Sequence, residues 1–415
     1  MKVLILSHNA LNSEHAIGKT LGSLFSIFKK EELCQIYISG KAPINEKCDS
    51  YLRLSDSRIF KQFLRLKKKS AKTGKNSDVE EKYKARKRNF ENHFLELIRD
   101  YIWEHTKWFD DDVDGWIKEQ KPTHLFVAVG SSRFIYDMAL LISEKFGLPM
   151  ITYICDDFYF YNCGPLLINK IWKRKLDKIA EKLFVKSDLL VTIADSLSAL
   201  YQKKFNVKCE TIYTASSFLY LQKSVISENV KSINYFGKLT LNRYKSIIDV
   251  LKSVDLLNKK ENTKICLNIY TDLTNKRILK KVSKFSSVSL HEFVVGEEFI
   301  SNFLKSDVLL FVESFDKKTI QRIQRSMSTK IADSLCSGIP LLAYGPSSVN
   351  SMNYLMTNDC AICATNKNEL SKSLKLILDK DIRISLKEKQ LLVAKKNHNL
   401  NTNGVKLYNL IKDNG

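Results

Sequence analysis

Ser328, Thr329 and Lys330 stand at the start of a short helical pattern that carries Asp333, stops at Gly338 and runs into an apolar strand opening at Pro340. A helix start leaves N–H groups unpaired and carries partial positive charge, so it attracts anions and disfavours cations. Lys330 is misplaced there unless an anion sits between its amine and those amides. A phosphate resolves the conflict. Asp333, by contrast, suits a first helical turn on dipole grounds alone. No capping box accounts for the cluster, because neither Ser328 nor Thr329 has an acid three residues on.

Three further stretches carry compatible chemistry. Phe236-Gly237-Lys238-Leu239 closes a strand-like run, and Arg243 follows before the next helical pattern. Gly237 allows a tight turn and close approach of a ligand, while Lys238 and Arg243 can both reach a diphosphate. Basic residues in exposed loops are usually just solvated, so this pair alone is a weak signal. His291-Glu292-Phe293-Val294 ends another run, where main-chain groups at Phe293 or Val294 can pair with a nucleobase edge. The stretch 306–314 reads as a strand that delivers Glu313 to its carboxyl end.

Several lookalikes fall away on spacing. Ile17-Gly18-Lys19-Thr20 ends like a P-loop, but position 13 is serine where the motif needs glycine. Gly18 still opens a helix after the first strand and is kept as a substrate-facing position. The acids at 110–114 resemble a calcium loop, yet the twelfth position is Lys121 rather than glutamate. They read as a cap for the helix that follows. His8, His15, His124 and His291 show no metal-ligand spacing.

The elements that position these residues follow from periodicity. Short apolar runs at 3–6, 35–39, 125–129, 150–154, 189–193 and 210–213 alternate with helical patterns at 19–28, 80–108, 134–146, 166–184 and 197–205. A polar link near 218–231 interrupts the alternation. It then resumes with runs at 233–236, 265–270, 288–291, 308–312, 340–343 and 361–363, and helices at 246–257, 276–285, 298–305, 329–337 and beyond 369. Runs of this kind predict parallel strands covered on both faces. The fold class is α/β, with two doubly wound Rossmann-like domains facing across a cleft. The boundaries are 1–225, with a basic helical insert near 58–109, then 226–395, then a terminal helix at 396–415 that is expected to pack back on the first domain. Ligands of such sheets bind at the carboxyl ends of strands.

The formal charge of +22 calls for an anionic partner. Nucleic acid, an anionic membrane face and phosphorylated substrates are the three candidates. Residues 58–90 hold thirteen Lys or Arg against three Asp or Glu. A second basic stretch, 170–186, has apolar residues at helical spacing on its other side, which suits either a membrane-surface helix or a helix packed on a sheet. No run approaches a membrane span. Nine cysteines without an export signal suggest reduced thiols, and Cys360-Ala-Ile-Cys363 reads as buried structural cysteines.

The order Gly-Lys-Leu…Arg, HEFV, SDVLLFVES and STKIADSLCSGIPLLAYGP resembles the donor-binding half of retaining nucleotide-sugar glycosyltransferases of the GT-B fold. More closely, it is similar to the bacterial members of glycosyltransferase family 4. The resemblance implies that Lys238 and Arg243 bind the donor diphosphate and stabilise the leaving group. It places Ser328, Thr329 and Lys330 at the same phosphates and Asp333 at the nucleotide ribose, where the family usually has glutamate. The family's other glutamate falls at Arg325, so the usual Glu-x7-Glu spacing is lost and Glu313 is the candidate substitute. Asp156 and Asp157, which also read as a helix cap ahead of Leu166, lie near where relatives hold a histidine or aspartate by the reacting carbon. The resemblance further implies a UDP- or GDP-linked donor sugar and no required metal.

The expected function is transfer of a sugar, with retention, to a lipid-linked glycan in surface-polysaccharide assembly. The expected location is cytoplasmic, peripheral on the inner face of the plasma membrane. Rival readings are an epimerase or hydrolase of the same fold, a non-catalytic scaffold, and a basic nucleic-acid-binding protein. No nucleic-acid recognition motif supports the last, and aromatics are not interleaved with the basic runs.

Overall fold

The computed structural model describes residues 1–11, 16–38, 43, 47–67, 93–222 and 225–414. Most of the basic stretch at 58–90, the first part of the helix expected at 80–108, and positions 13 and 15 lie outside the described residues. The chain divides into two compact units, Met1–Thr211 with Leu407–Gly415, and Ile212–Lys406.

The first unit is built on seven parallel strands: β1 (Val3–Ser7), β2 (Leu33–Tyr37), β3 (Ser50–Arg53), β4 (His124–Val129), β5 (Met150–Ile154), β6 (Leu189–Thr192) and β7 (Cys209–Thr211), in the order β3-β2-β1-β4-β5-β6-β7. Its helices are α1 (Ala16–Leu24), α2 (Asp56–Lys67), α3 (Phe94–Glu104), α4 (Asp111–Gln120), α5 (Arg133–Phe146), α6 (Leu167–Lys186) and α7 (Asp195–Phe205). β1, β2, β4, β5 and β6 are buried at every position, as strands covered on both faces must be. β3 escapes the sequence pattern because it is an edge strand, half-exposed and short. The helix expected at 80–108 ends at Glu104 rather than 108, where His105 turns back its amide to Tyr101. The acids at 110–114 do cap α4: the Asp110 carboxylate accepts the Val113 amide.

The second unit has six parallel strands: β8 (Ser232–Phe236), β9 (Cys266–Thr271), β10 (Val288–Glu292), β11 (Val308–Val312), β12 (Leu341–Tyr344) and β13 (Ile362–Ala364), in the order β10-β9-β8-β11-β12-β13. Its helices are α8 (Arg243–Glu261), α9 (Lys276–Val282), α10 (Gly296–Leu304), α11 (Lys317–Ile323), α12 (Lys330–Ser337), α13 (Asn350–Thr357), α14 (Lys367–Leu378) and α15 (Lys380–Asn397). A last helix, α16 (Leu400–Asp413), begins in this unit and ends in the first, where Tyr408 packs on Phe28 with ring centroids 5.1 Å apart. The short helices α11 and α13 carry too few turns for periodicity to reveal them.

Both sheets reverse their strand order once, between β1 and β4 and between β8 and β11. In the second unit this switch point also opens. β8 and β11 pair only at Val308↔Ile233 and Leu309↔Asn234, although both strands run on. Beyond those two pairs no further pairing joins their carboxyl ends, which is where a ligand of this architecture binds. Asp307, just before β11, ties the other end shut. Its carboxylate accepts from the Ser227 hydroxyl and from the Lys231 and Ser232 amides, at 2.5, 2.9 and 3.0 Å. Burial works against that charge, and these donors outweigh it, so the pKa is lowered. Stability from Asp307 is therefore present above the ordinary carboxylate pKa and is lost as pH falls through the lowered one. Asp307→Asn is expected to flatten the acid limb of a pH–stability curve measured by urea denaturation.

Candidate functional site

The parted ends of β8 and β11 bring together residues that are far apart in the chain. β8 delivers Gly237 and Lys238, α8 opens with Arg243, β11 delivers Glu313, and α12 opens with Lys330. The turn after β8 is held rigidly: the Gly237 amide donates to Tyr270 O at 3.0 Å, and the Tyr235 hydroxyl donates to Lys238 O at 2.9 Å. Lys330 lies across this turn. Its amine stands 5.3 Å from the centroid of the Tyr235 ring, and a Cβ built on Gly237 would meet it at 2.0 Å. Only glycine leaves that amine its place.

Charge at the site is unbalanced in favour of cations. Arg243 makes a two-pronged ion pair with Glu313, Nε to Oε2 at 2.9 Å and Nη2 to Oε1 at 3.1 Å. Burial works against the Arg243 charge, and the Glu313 pairing more than offsets it. Glu313 is only 3% exposed, and its main chain is fixed by the Tyr344 carbonyl and the Ser246 hydroxyl. One carboxylate thus faces three cations, with Lys238 exposed at the rim. Lys330 carries the imbalance. Burial, then the neighbouring Arg243 and Lys238 charges, lower its pKa to about 8, against the opposing pull of Glu313. A polyanion beside this amine would offset the repulsion from Arg243 and Lys238 and favour its charged form.

The pH dependence follows with opposite signs for ligand and fold. Lys330 is charged below about pH 8, so affinity for a diphosphate is expected to fall as pH rises through that value. The unfolded chain holds its proton up to the ordinary lysine pKa, so between those two values it binds more protons than the folded chain. Stability without ligand should therefore rise with pH over that window. Isothermal titration with a nucleotide diphosphate, paired with urea denaturation, reads both limbs. A Gly237→Ala variant tests the geometry. Its methyl displaces the flexible end of Lys330 and sits at a φ of 157° that side chains rarely adopt, so a modest loss of stability should accompany an affinity drop of about tenfold or more.

The helix start is only partly available to an anion. The Ser328 amide donates to the Ser351 hydroxyl at 3.0 Å, and Ile331 N donates to Ser328 O. The Thr329 and Lys330 amides have no hydrogen-bond partner among the described residues. α12 is seated by its far side. The Ser216 hydroxyl donates to Asp333 Oδ1 at 2.6 Å, and the Cys336 thiol reaches His398 O at 3.8 Å. His398 is itself buried, its pKa lowered to about 4 by burial, and it joins Thr214 O to the Tyr354 hydroxyl. Gly338 ends α12 in the left-handed region at φ 67°, where glycine is favoured.

The remaining sequence candidates lie elsewhere. Phe293 and Val294 follow β10, two strands from the switch point, and Phe293 is exposed. Gly18 is buried within α1 of the first unit. Asp156 and Asp157 follow β5, and Asp157 accepts from the Phe160 amide at 2.8 Å and the Tyr201 hydroxyl at 3.1 Å, so it shapes a local turn rather than capping α6. Sequence reading missed Tyr235, the ring beneath Lys330. It looks like any strand aromatic, and the only signal was its place two residues before Gly237.

Two doubly wound parallel α/β domains make this the architecture of the GT-B glycosyltransferases. Solved structures similar to the chain include the trehalose-6-phosphate protein of E. coli bound with UDP-2-fluoro glucose, at a TM-score of 0.64 and 10% identity over 99% of each chain. They also include an alpha,alpha-trehalose-phosphate synthase (UDP-forming) from Burkholderia xenovorans in complex with glucose-6-phosphate, at 0.61 and 10% over 100% of this chain and 99% of that one. WaaG, a glycosyltransferase involved in lipopolysaccharide biosynthesis, matches at 0.55 and 11% over 99% of each chain. At such identities the likeness is one of fold. No protein-family model matches the sequence, and no curated protein matches it either.

Proposed function

We propose that the protein is a glycosyltransferase that moves a sugar from a nucleotide diphosphate donor to a glycan acceptor. The observation that carries this reading is Lys330, an enclosed amine of lowered pKa set against Gly237 at the open switch point. The GT-B architecture supports it, as does the E. coli structure of that architecture that holds UDP-2-fluoro glucose.

Breaking the anomeric C–O bond puts negative charge on the departing diphosphate and positive charge on the ring. Lys330, Lys238 and the Thr329 and Lys330 amides would stabilise the first as it develops. Arg243 would reach the phosphates only by sharing its fork with Glu313, so its part is to hold positive potential rather than to grip alone. On the family resemblance, transfer proceeds with retention and needs no metal, and the leaving phosphate accepts the acceptor's proton. Asp333 accepts from the Ser216 hydroxyl, and on the family resemblance it is the residue that meets the nucleotide ribose. Asp156 and Asp157 are assigned to the acceptor half, and the acceptor is a lipid-linked glycan of a surface polymer.

A thermal-shift screen against UDP, GDP, ADP, CMP and TDP tests the donor site. One nucleoside diphosphate should stabilise the protein; strong salt-dependent binding to DNA or RNA with no such shift would overturn the reading. Incubating the matching nucleotide-sugar without acceptor separates the alternatives, because an epimerase or hydrolase converts it and a transferase leaves it largely intact.

A further inference from the structure

One helix of the first unit turns an apolar side outward as well as inward. α3 buries Asp100 and Trp103, while Phe94, Leu95, Ile98 and Tyr101 are exposed, Leu95 by 70%. The four recur at helical spacing and so share one side of the helix. A helix on a water-facing surface carries polar residues on its outer side.

The neighbouring helices extend that side. The His93 ring, at the start of α3, stacks flat on Trp172 of α6, with centroids 3.7 Å apart and planes within 3°. The His93 amide also donates to Asn169 Oδ1 at 3.1 Å. Around this anchor the first turns of α6 expose Ile171 and Leu167, the latter by 74%, and Leu166 just before them is exposed too. At the other end of α3, Tyr101 meets Phe63 of α2 edge-on at 6.3 Å, and α2 exposes Phe60 and Leu64. Single exposed apolar residues are ordinary, but a run across three adjoining helices marks an interaction surface.

Charge identifies the occupant. α6 continues from Ile171 into exposed Arg174, Lys175, Lys178 and Lys182. A cavity of about 450 Å³ beside them is lined by Lys170, Lys173, Arg174 and Lys178 against Asp177 and Glu181. Apolar side chains next to a cationic rim match a bilayer, with acyl chains at one level and phosphodiester headgroups at the next. A second copy of this chain is a poor fit, since it would bring the same cations face to face on a molecule of charge +22.

We infer that the outer side of α2, α3 and the first turns of α6 docks on an anionic lipid surface, with the α6 cations on its phosphodiester headgroups. Docking there would serve the lipid-linked acceptor proposed above, and it rests on that reading only for its purpose. Sedimentation with vesicles of phosphatidylglycerol and phosphatidylcholine, against phosphatidylcholine alone, measures it directly. The wild-type chain should bind the anionic vesicles selectively. Leu95→Asp combined with Leu167→Asp should weaken that binding about tenfold or more, with an unchanged circular-dichroism melt because both sites are exposed. Lys175→Glu with Lys178→Glu should do the same and reduce the salt dependence. Failure to bind anionic vesicles, or equal binding by the Leu95→Asp, Leu167→Asp variant, overturns the inference. So does light scattering that shows a dimer which those two substitutions dissociate. A nucleotide-diphosphate thermal shift run on the same samples reports on the donor site separately, so either reading can fail alone.

Discussion

Glu313→Ala is expected to destabilise the second unit by about 3–5 kcal/mol, because it strands the Arg243 guanidinium in a buried place without its partner. The loss should appear as a lower urea midpoint for the transition of that unit. Pairing the substitution with Arg243→Met removes the stranded charge, and most of the stability should return. An equal loss in the single and double variants would mean that Glu313 acts through its packing against Gly345 and not through its charge. The same single variant should also raise the positive potential around Lys330 and push its pKa lower still, since Glu313 is the group that opposes the shift. Any residual nucleotide binding should therefore lose affinity at a lower pH than in the wild type.

Lys330→Ala is the second. Removing one charged donor from a diphosphate costs about 2 kcal/mol, or roughly thirtyfold in affinity. The thermal shift given by the preferred nucleotide should collapse, while the protein without ligand should hold or gain stability, since an enclosed charge in a cationic setting has been removed. Lys330→Arg should not restore the wild-type shift, because the guanidinium is broader than the space against Gly237. A nucleotide shift that survives Lys330→Ala unchanged would sink the assignment of this site.

These two variants separate roles that the sequence leaves mixed. Lys238, Arg243, Glu313 and Lys330 all sit after strands or at helix starts, and all suit a phosphate site by residue type. The fold divides them: Glu313 and Arg243 form a buried pair that frames the site, and Lys330 is left as the cation with a depressed pKa. Glu313 is therefore a positioning residue in the structure before it is anything else. A sugar hydroxyl that called on it would have to compete with a two-pronged guanidinium.

Much of the architecture was legible without coordinates. Strands covered on both faces have no polar side to hide, so runs such as VLILS and VLLFV announce themselves, and their alternation with helical patterns leaves a doubly wound sheet as the natural solution. Lys330 was legible for a local reason as well, since a cation at a helix start conflicts with the helix's own field whatever the rest of the chain does. Edge strand β3 and the short helices α11 and α13 were not, because too few turns or half-buried positions leave no period to read.

What the tertiary structure alone decided is which groups face each other. The parting of β8 and β11 after two residue pairs, the seat of the Lys330 amine against Gly237, and the use of Arg243 by Glu313 all join residues about seventy or more positions apart. The exposed side of α3 is the same kind of fact: its sequence has an ordinary amphipathic pattern, and only packing shows that an apolar side is turned outward. For Ser326–Pro346, sequence raised the expectation of an anion beside Lys330. The fold shows which residue that amine lies against, which amides have no partner among the described residues, and which neighbours set the amine's charge. Those follow from through-space fields and contacts, and these are not encoded in spacing along the chain.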